Sequence, residues 1–159
     1  MTNKKNIYDW LNEYSLYHKN ATNKLIHWIC IPFIILSLFG LLSIINFDIQ
    51  INNISYSVNV MYIFILIALI FYIRLSITIT IGMLLISLLT VCAVNSLSFI
   101  GDKKLFQVYI LLFIISWVVQ FIGHKIEGEK PAFVKDLKFL LIGPAWLLSF
   151  IYIKFKIKL

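Results

Sequence analysis

LSITITIGMLLISLLTVCAVNSLSFI, residues Leu75 to Ile100, contains no charged side chain. A helix needs about 20 mostly apolar residues to cross a bilayer, and this stretch is longer than that. Many of its residues are β-branched, which in water favours strands. Strands crossing lipid must close into a barrel, and they alternate apolar and polar side chains; this run does not alternate. A helix is the consistent reading. Similar runs lie on both sides. Ile26–Ile45 and Val58–Ile73 precede it, and Leu105–Gly123 and Leu137–Phe155 follow, the last interrupted by Gly143-Pro144. The 159-residue chain is 61% hydrophobic and 13% charged. A soluble domain is about half apolar and about a quarter charged. Too little polar surface remains to cover the chain in water.

The expected fold is all-α: a polytopic membrane helical bundle forming a single domain over residues 1–159. It has four full crossings and a Gly-Pro-broken fifth hydrophobic helix in 26–159, behind an interfacial segment in 1–25. In that segment Ile7, Trp10, Leu11, Tyr14 and His18 recur at helical period, while Asp9, Asn12 and Glu13 fall elsewhere. This is the pattern of an amphipathic helix lying in the membrane interface. No apolar core precedes Lys4, Lys5, Asp9 and Glu13, so no cleavable signal peptide is expected. Cys30 and Cys92 lie inside apolar runs without metal-motif spacing, and they read as packing residues.

The net charge of +7 is explained by topology. Cytoplasmic loops collect Lys and Arg. With the N-terminus inside and all five runs crossing, Lys154, Lys156 and Lys158 would face out with Lys103 and Lys104. If the fifth run instead turns back at Gly143-Pro144, every cation except Lys103 and Lys104 is inside. The charge rule therefore favours the returning C-terminus and a cytoplasmic N-terminal face. Nucleic-acid binding is an unneeded reading of the basic balance. Under either topology, four crossings place the N-terminal segment and the loop after Gly123 on the same face.

All three histidines belong to those two regions. His18 and His27 precede or open the first apolar run, and His124 closes the fourth. Asn20, Asn23 and His27 share one helix face, as do Gln120, His124 and Glu127. His18 and His27 are nine residues apart, on opposite faces of any straight helix. They converge only if the chain bends, and Asn20–Asn23 is the expected bend and cap. Neutral imidazoles suit iron, zinc and copper. The competing reading is a set of interfacial polar residues that snorkel and hydrogen-bond. Composition and spacing leave the two about evenly weighted.

Two blocks of sequence narrow the choice. The first is Trp10-Leu11-Asn12-Glu13-Tyr14, His18-Lys19-Asn20, Asn23, Ile26-His27-Trp28 and Pro32. The second is Trp117, Gln120-Phe121-Ile122-Gly123-His124, Glu127-Gly128, Lys130-Pro131-Ala132-Phe133, Asp136-Leu137 and Leu140-Leu141-Ile142-Gly143-Pro144. Together they resemble the membrane-embedded 2-hydroxy fatty acid dioxygenase family. The resemblance implies a non-haem Fe(II) enzyme of fatty acid α-oxidation, converting a 2-hydroxy fatty acid and O₂ to the chain-shortened acid and CO₂. On that reading His18, His27 and His124 are the metal ligands. Glu127 is a further ligand or the base for the 2-hydroxyl proton, and Tyr14 donates a hydrogen bond to oxygen. Asn23 and Gln120 orient the ligands, and the acyl tail lies among the helices with membrane lipid around them. The alternative is a non-catalytic lipid- or metal-binding accessory protein, separable from the enzyme by bound iron and by O₂ uptake. A transporter is weaker, because no mid-bundle run carries the ionisable residues of a translocation path.

Overall fold

The computed structural model describes residues 5–52 and 54–159; Lys4, counted among the N-terminal cations, lies outside the described residues. The chain opens with α1, Ile7–Leu16. Asn6 accepts from the Asp9 amide at 3.0 Å, and the Asp9 carboxylate accepts from the Asn6 amide at 2.9 Å. This reciprocal pair satisfies two donors that a helix start leaves free. Ile7, Trp10, Leu11 and Tyr14 form the buried stripe expected of an amphipathic helix. The helix stops at Tyr17, and α2 runs from Ala21 to Ser43. Asn20 caps α2 by accepting from the Thr22 amide at 2.8 Å. The bend therefore lies at Tyr17–Asn20, earlier than expected, and Asn23 is already helical.

Ser43 leads into an antiparallel hairpin, β1 (Asn46–Ile51) and β2 (Ile54–Asn59), in register from Asn46 opposite Asn59 to Ile51 opposite Ile54. The segment lies between the apolar runs Ile26–Ile45 and Val58–Ile73. Its signal is Phe47, Ile49 and Ile51 alternating with Asp48 and Gln50, followed by two asparagines. Asn52 takes a positive φ of 50°, a conformation that asparagine tolerates in tight turns.

Helix α3 spans Val60–Ile73, α4 spans Ile77–Ser96, and α5 spans Asp102–Glu127. Helices α2 to α5 run alternately up and down. Helices α2 and α5 are antiparallel neighbours, and Gly123 lets them close: a Cβ there would lie 2.5 Å from Asn23 Oδ1. At the hairpin end Phe39, Met61 and Val94 pack together. The helix ends bearing the histidines form the other end of the bundle.

Among the described residues three helices are long and apolar enough to cross a membrane: Ala21–Ser43, Ile77–Ile100 and Asp102–Glu127. Helix α3 has 14 residues. At about 1.5 Å per residue it is ~21 Å long, short of a hydrocarbon core of about 30 Å. The bundle's outward faces are apolar, with Leu89 71% exposed and Leu66 and Ile67 each 60%. Such a surface is consistent with membrane association.

The last hydrophobic segment departs from expectation. Helix α6, Phe139–Lys154, runs unbroken through Gly143-Pro144. Proline withholds one backbone donor there. The Tyr72 hydroxyl supplies one nearby, donating to the Leu141 carbonyl at 2.7 Å. Helix α6 lies against the histidine end of the bundle. Phe139 meets Trp10, Phe150 meets Trp28, and the Tyr152 hydroxyl donates to the Thr78 carbonyl at 2.9 Å. The tail then folds back, and the Tyr8 hydroxyl donates to the Leu159 carbonyl at 3.4 Å. Both described ends of the chain thus meet at the histidine end, without the reversal expected at Gly143-Pro144.

Candidate metal centre

Three elements each deliver one imidazole. The turn after α1 brings His18, the second turn of α2 brings His27, and the last turn of α5 brings His124. All three are buried, at 1%, 1% and 6% exposure. Each offers a ring nitrogen within 4.8 Å of the others. Among the described residues this is the one cluster able to hold a metal ion.

Hydrogen bonds orient two of the rings. His18 Nδ1 donates to the Tyr14 carbonyl at 2.8 Å, and His27 Nδ1 donates to the Asn23 carbonyl at 2.9 Å. A carbonyl can only accept, so both hydrogens sit on Nδ1. The two Nε2 atoms then face each other at 3.0 Å with lone pairs and no hydrogen between them. Such a pair needs a cation in its vicinity. The Nδ1 of His124 is buried with no partner among the described residues. Burial pushes the His18 imidazole down to about 3, and neighbouring His27 adds to the fall. The ring is therefore neutral at ordinary pH, the form that ligates metals. The donor set fits a borderline divalent ion such as iron or zinc.

Aromatic rings hold His18 from outside. Tyr14 stacks on it at 4.1 Å between centroids, and Trp146 lies at 5.2 Å. The Trp146 indole donates to Ser15 Oγ at 2.9 Å, tying α6 to α1. No local pattern marks Trp146 as a neighbour of the site, because its meeting with His18 spans most of the chain. A Cβ at position 143 would lie 2.9 Å from the Tyr14 hydroxyl. Gly143 thus marks close approach to the site. Burial raises the Tyr14 phenol above its ordinary value, keeping it protonated.

The other expected residues fall differently. Glu127 does not join the histidine cluster. Its carboxylate accepts from the Lys19 amide at 2.8 Å, the Asn20 amide at 2.9 Å and Asn23 Nδ2 at 3.0 Å. It grips the segment that follows His18 and the start of α2. Asn23 orients His27 with its backbone carbonyl, while its side chain serves Glu127. Gln120 bonds neither ring, and its buried Nε2 has no partner. It lines an adjoining cavity of about 380 Å³, walled by α2 to α5 and the start of α6. Tyr14, His27 and His124 stand at its head, and Ile31, Ile35, Phe39, Phe64 and Phe113 run down its length.

Comparison with curated proteins and with solved structures finds no match. A family profile described as 2-hydroxy-palmitic acid dioxygenase Mpo1-like matches residues 4–155. That match takes in both histidine-bearing ends, the hairpin and the packed α6, so the chain belongs to the Mpo1-like family.

Proposed function

We propose that this chain is a membrane-embedded, Fe(II)-dependent dioxygenase that shortens 2-hydroxy fatty acids by one carbon. The observation that carries the proposal is the convergence of three buried imidazoles at the head of a long apolar cavity. The overall change is R–CHOH–COOH + O₂ → R–COOH + CO₂ + H₂O. One O₂ accepts the four electrons released, so no further reductant is needed.

His18, His27 and His124 would hold the iron. A bound Fe(II) would supply O₂ activation and a chelation point for the 2-hydroxy acid head. The Tyr14 and Asn23 carbonyls keep the His18 and His27 lone pairs pointed inward. Glu127 acts on the segment after His18 rather than on the substrate, because its oxygens are taken by amide donors. The Tyr14 hydroxyl lines the cavity head and is placed to donate a hydrogen bond there. The acyl tail occupies the apolar length and excludes water from the reacting carbon.

In this reading α2, α3, α4 and α5 all cross the bilayer. Helix α3, shorter than the hydrocarbon core, crosses where the bilayer thins to match it. Helices α1 and α6 lie at the cytoplasmic face, where the lysines collect.

Metal analysis and oxygen uptake test the reading together. Detergent-purified protein is expected to hold iron, lose it to chelator, and consume O₂ only with a 2-hydroxy acid. His18→Ala should lower both iron content and O₂ uptake while the protein still inserts. Full iron occupancy with near-normal turnover in that variant would remove His18 from the centre. Wild-type protein that binds hydroxy acid without O₂ uptake would leave a lipid-binding accessory role.

A further inference from the structure

Helix α5 turns one face toward the cavity, and along it lie Trp117, Gln120 and His124. Spacings of three and four residues stack them on successive turns. His124 belongs to the metal cluster; the other two have no assigned work. Gln120 is 7% exposed, and its Nε2 has no hydrogen-bond partner among the described residues. Trp117 Nε1 is also sealed from solvent and unpartnered. A buried donor left without an acceptor is costly. Two on adjacent turns of one cavity wall call for an occupant rich in acceptors. Among the described residues no lysine or arginine lines this cavity. A carboxylate entering it would meet neutral N–H donors, and the only positive charge near it would be that of an ion held by the histidines.

We infer that Gln120 and Trp117 form the anchor for the substrate carboxylate, on the two turns of α5 that precede His124. The inference rests on the hydroxy acid reading of the cavity and assigns its head-group specificity. Gln120 extends from the wall between His124 and Trp117, so an acid held there keeps its 2-hydroxyl carbon beside the imidazoles. The tail then runs on past Ile35 toward Phe39 and Phe64. Trp117 can only donate, and Gln120 turns its NH₂ to the same space, so the pair suits an acceptor-only carboxylate better than an alcohol, which brings a donor of its own. Glutamate at the same position would be isosteric and would repel the carboxylate.

The test compares 2-hydroxyhexadecanoic acid with 1,2-hexadecanediol, a neutral ligand of equal length, by equilibrium binding to the iron-loaded protein in detergent. Wild type should prefer the acid. Gln120→Glu should weaken acid binding at least about tenfold, leaving diol affinity and iron content within about twofold of wild type. Gln120→Leu should remove the preference without adding charge, and Trp117→Phe should reduce it. An unchanged acid preference in Gln120→Glu overturns the anchor. So does a joint loss of iron, acid and diol binding, which would make Gln120 a support for the metal centre. Oxygen uptake separates the two proposals. A Gln120-dependent acid preference without O₂ uptake keeps the anchor and rejects the oxygenase. O₂ uptake with intact acid preference in Gln120→Glu does the reverse.

Discussion

Glu127→Gln distinguishes a base from a clamp. In the structure one carboxylate oxygen accepts from the Lys19 amide at 2.8 Å and the other from the Asn20 amide at 2.9 Å and Asn23 Nδ2 at 3.0 Å. A carboxamide keeps one acceptor and turns an NH₂ group toward N–H donors. At least one charge-assisted bond is lost, each worth about 1.5–3 kcal/mol. Glu127 is half-buried, so solvent recovers part of this, and about 2 kcal/mol of destabilisation is expected. The loss falls on the segment directly after His18, so the imidazole loses its fixed position. Removing a partner that orients a ligand lowers metal affinity about 10- to 100-fold. Iron titration of the purified variant should show that weakening, with thermal unfolding shifted downward. Turnover should recover in part at saturating iron. Wild-type iron affinity combined with abolished turnover would refute the clamp and restore Glu127 as the base.

Two further outcomes follow from the same geometry. Gly123→Ala places a methyl 2.5 Å from Asn23 Oδ1 and 3.3 Å from Ile26, where α2 and α5 meet beside the site. About 1–3 kcal/mol of stability should be lost, and iron affinity with it; calorimetry and metal analysis check both. Glu13 bridges Lys135 and Lys5, and the Lys135 bond is the first cause holding its carboxyl below the ordinary range. A depressed folded value means the contribution is present at neutral pH and lost as pH falls through that value. Glu13→Gln should therefore lower wild-type stability at pH 7 and converge with wild type in acid, measured by unfolding at several pH values.

Much of the site was legible because its parts are local. Asn20, Asn23 and His27 share a face by spacing alone, and so do Gln120, His124 and Glu127. An even number of passes through the bundle then brings His27 and His124 to one end. The hairpin was missed although its alternation and paired asparagines were visible, since hydrophobic runs on either side dominated the reading. The path of α6 was not legible. Gly143-Pro144 carries the letters of a break, yet Tyr72 serves the nearby carbonyl and Gly143 admits the Tyr14 hydroxyl. Those partners come from α3 and α1, far away in the chain. The hydrogen-bond partners of Glu127 and Gln120 were not legible for a related reason. Spacing shows which face a side chain occupies but not which atoms complete its hydrogen bonds.

The sequence by itself determined a helical, lipid-suited chain with its imidazoles gathered at one end, because hydrophobic length, charge bias and helical period are properties of neighbouring residues. Only the tertiary structure decided that His18 meets His27, that Glu127 is held by amides and that Gln120 faces an apolar cavity unpartnered. Those outcomes depend on distances between segments up to 108 residues apart, and they exist only once α1, α2, α5 and α6 have packed.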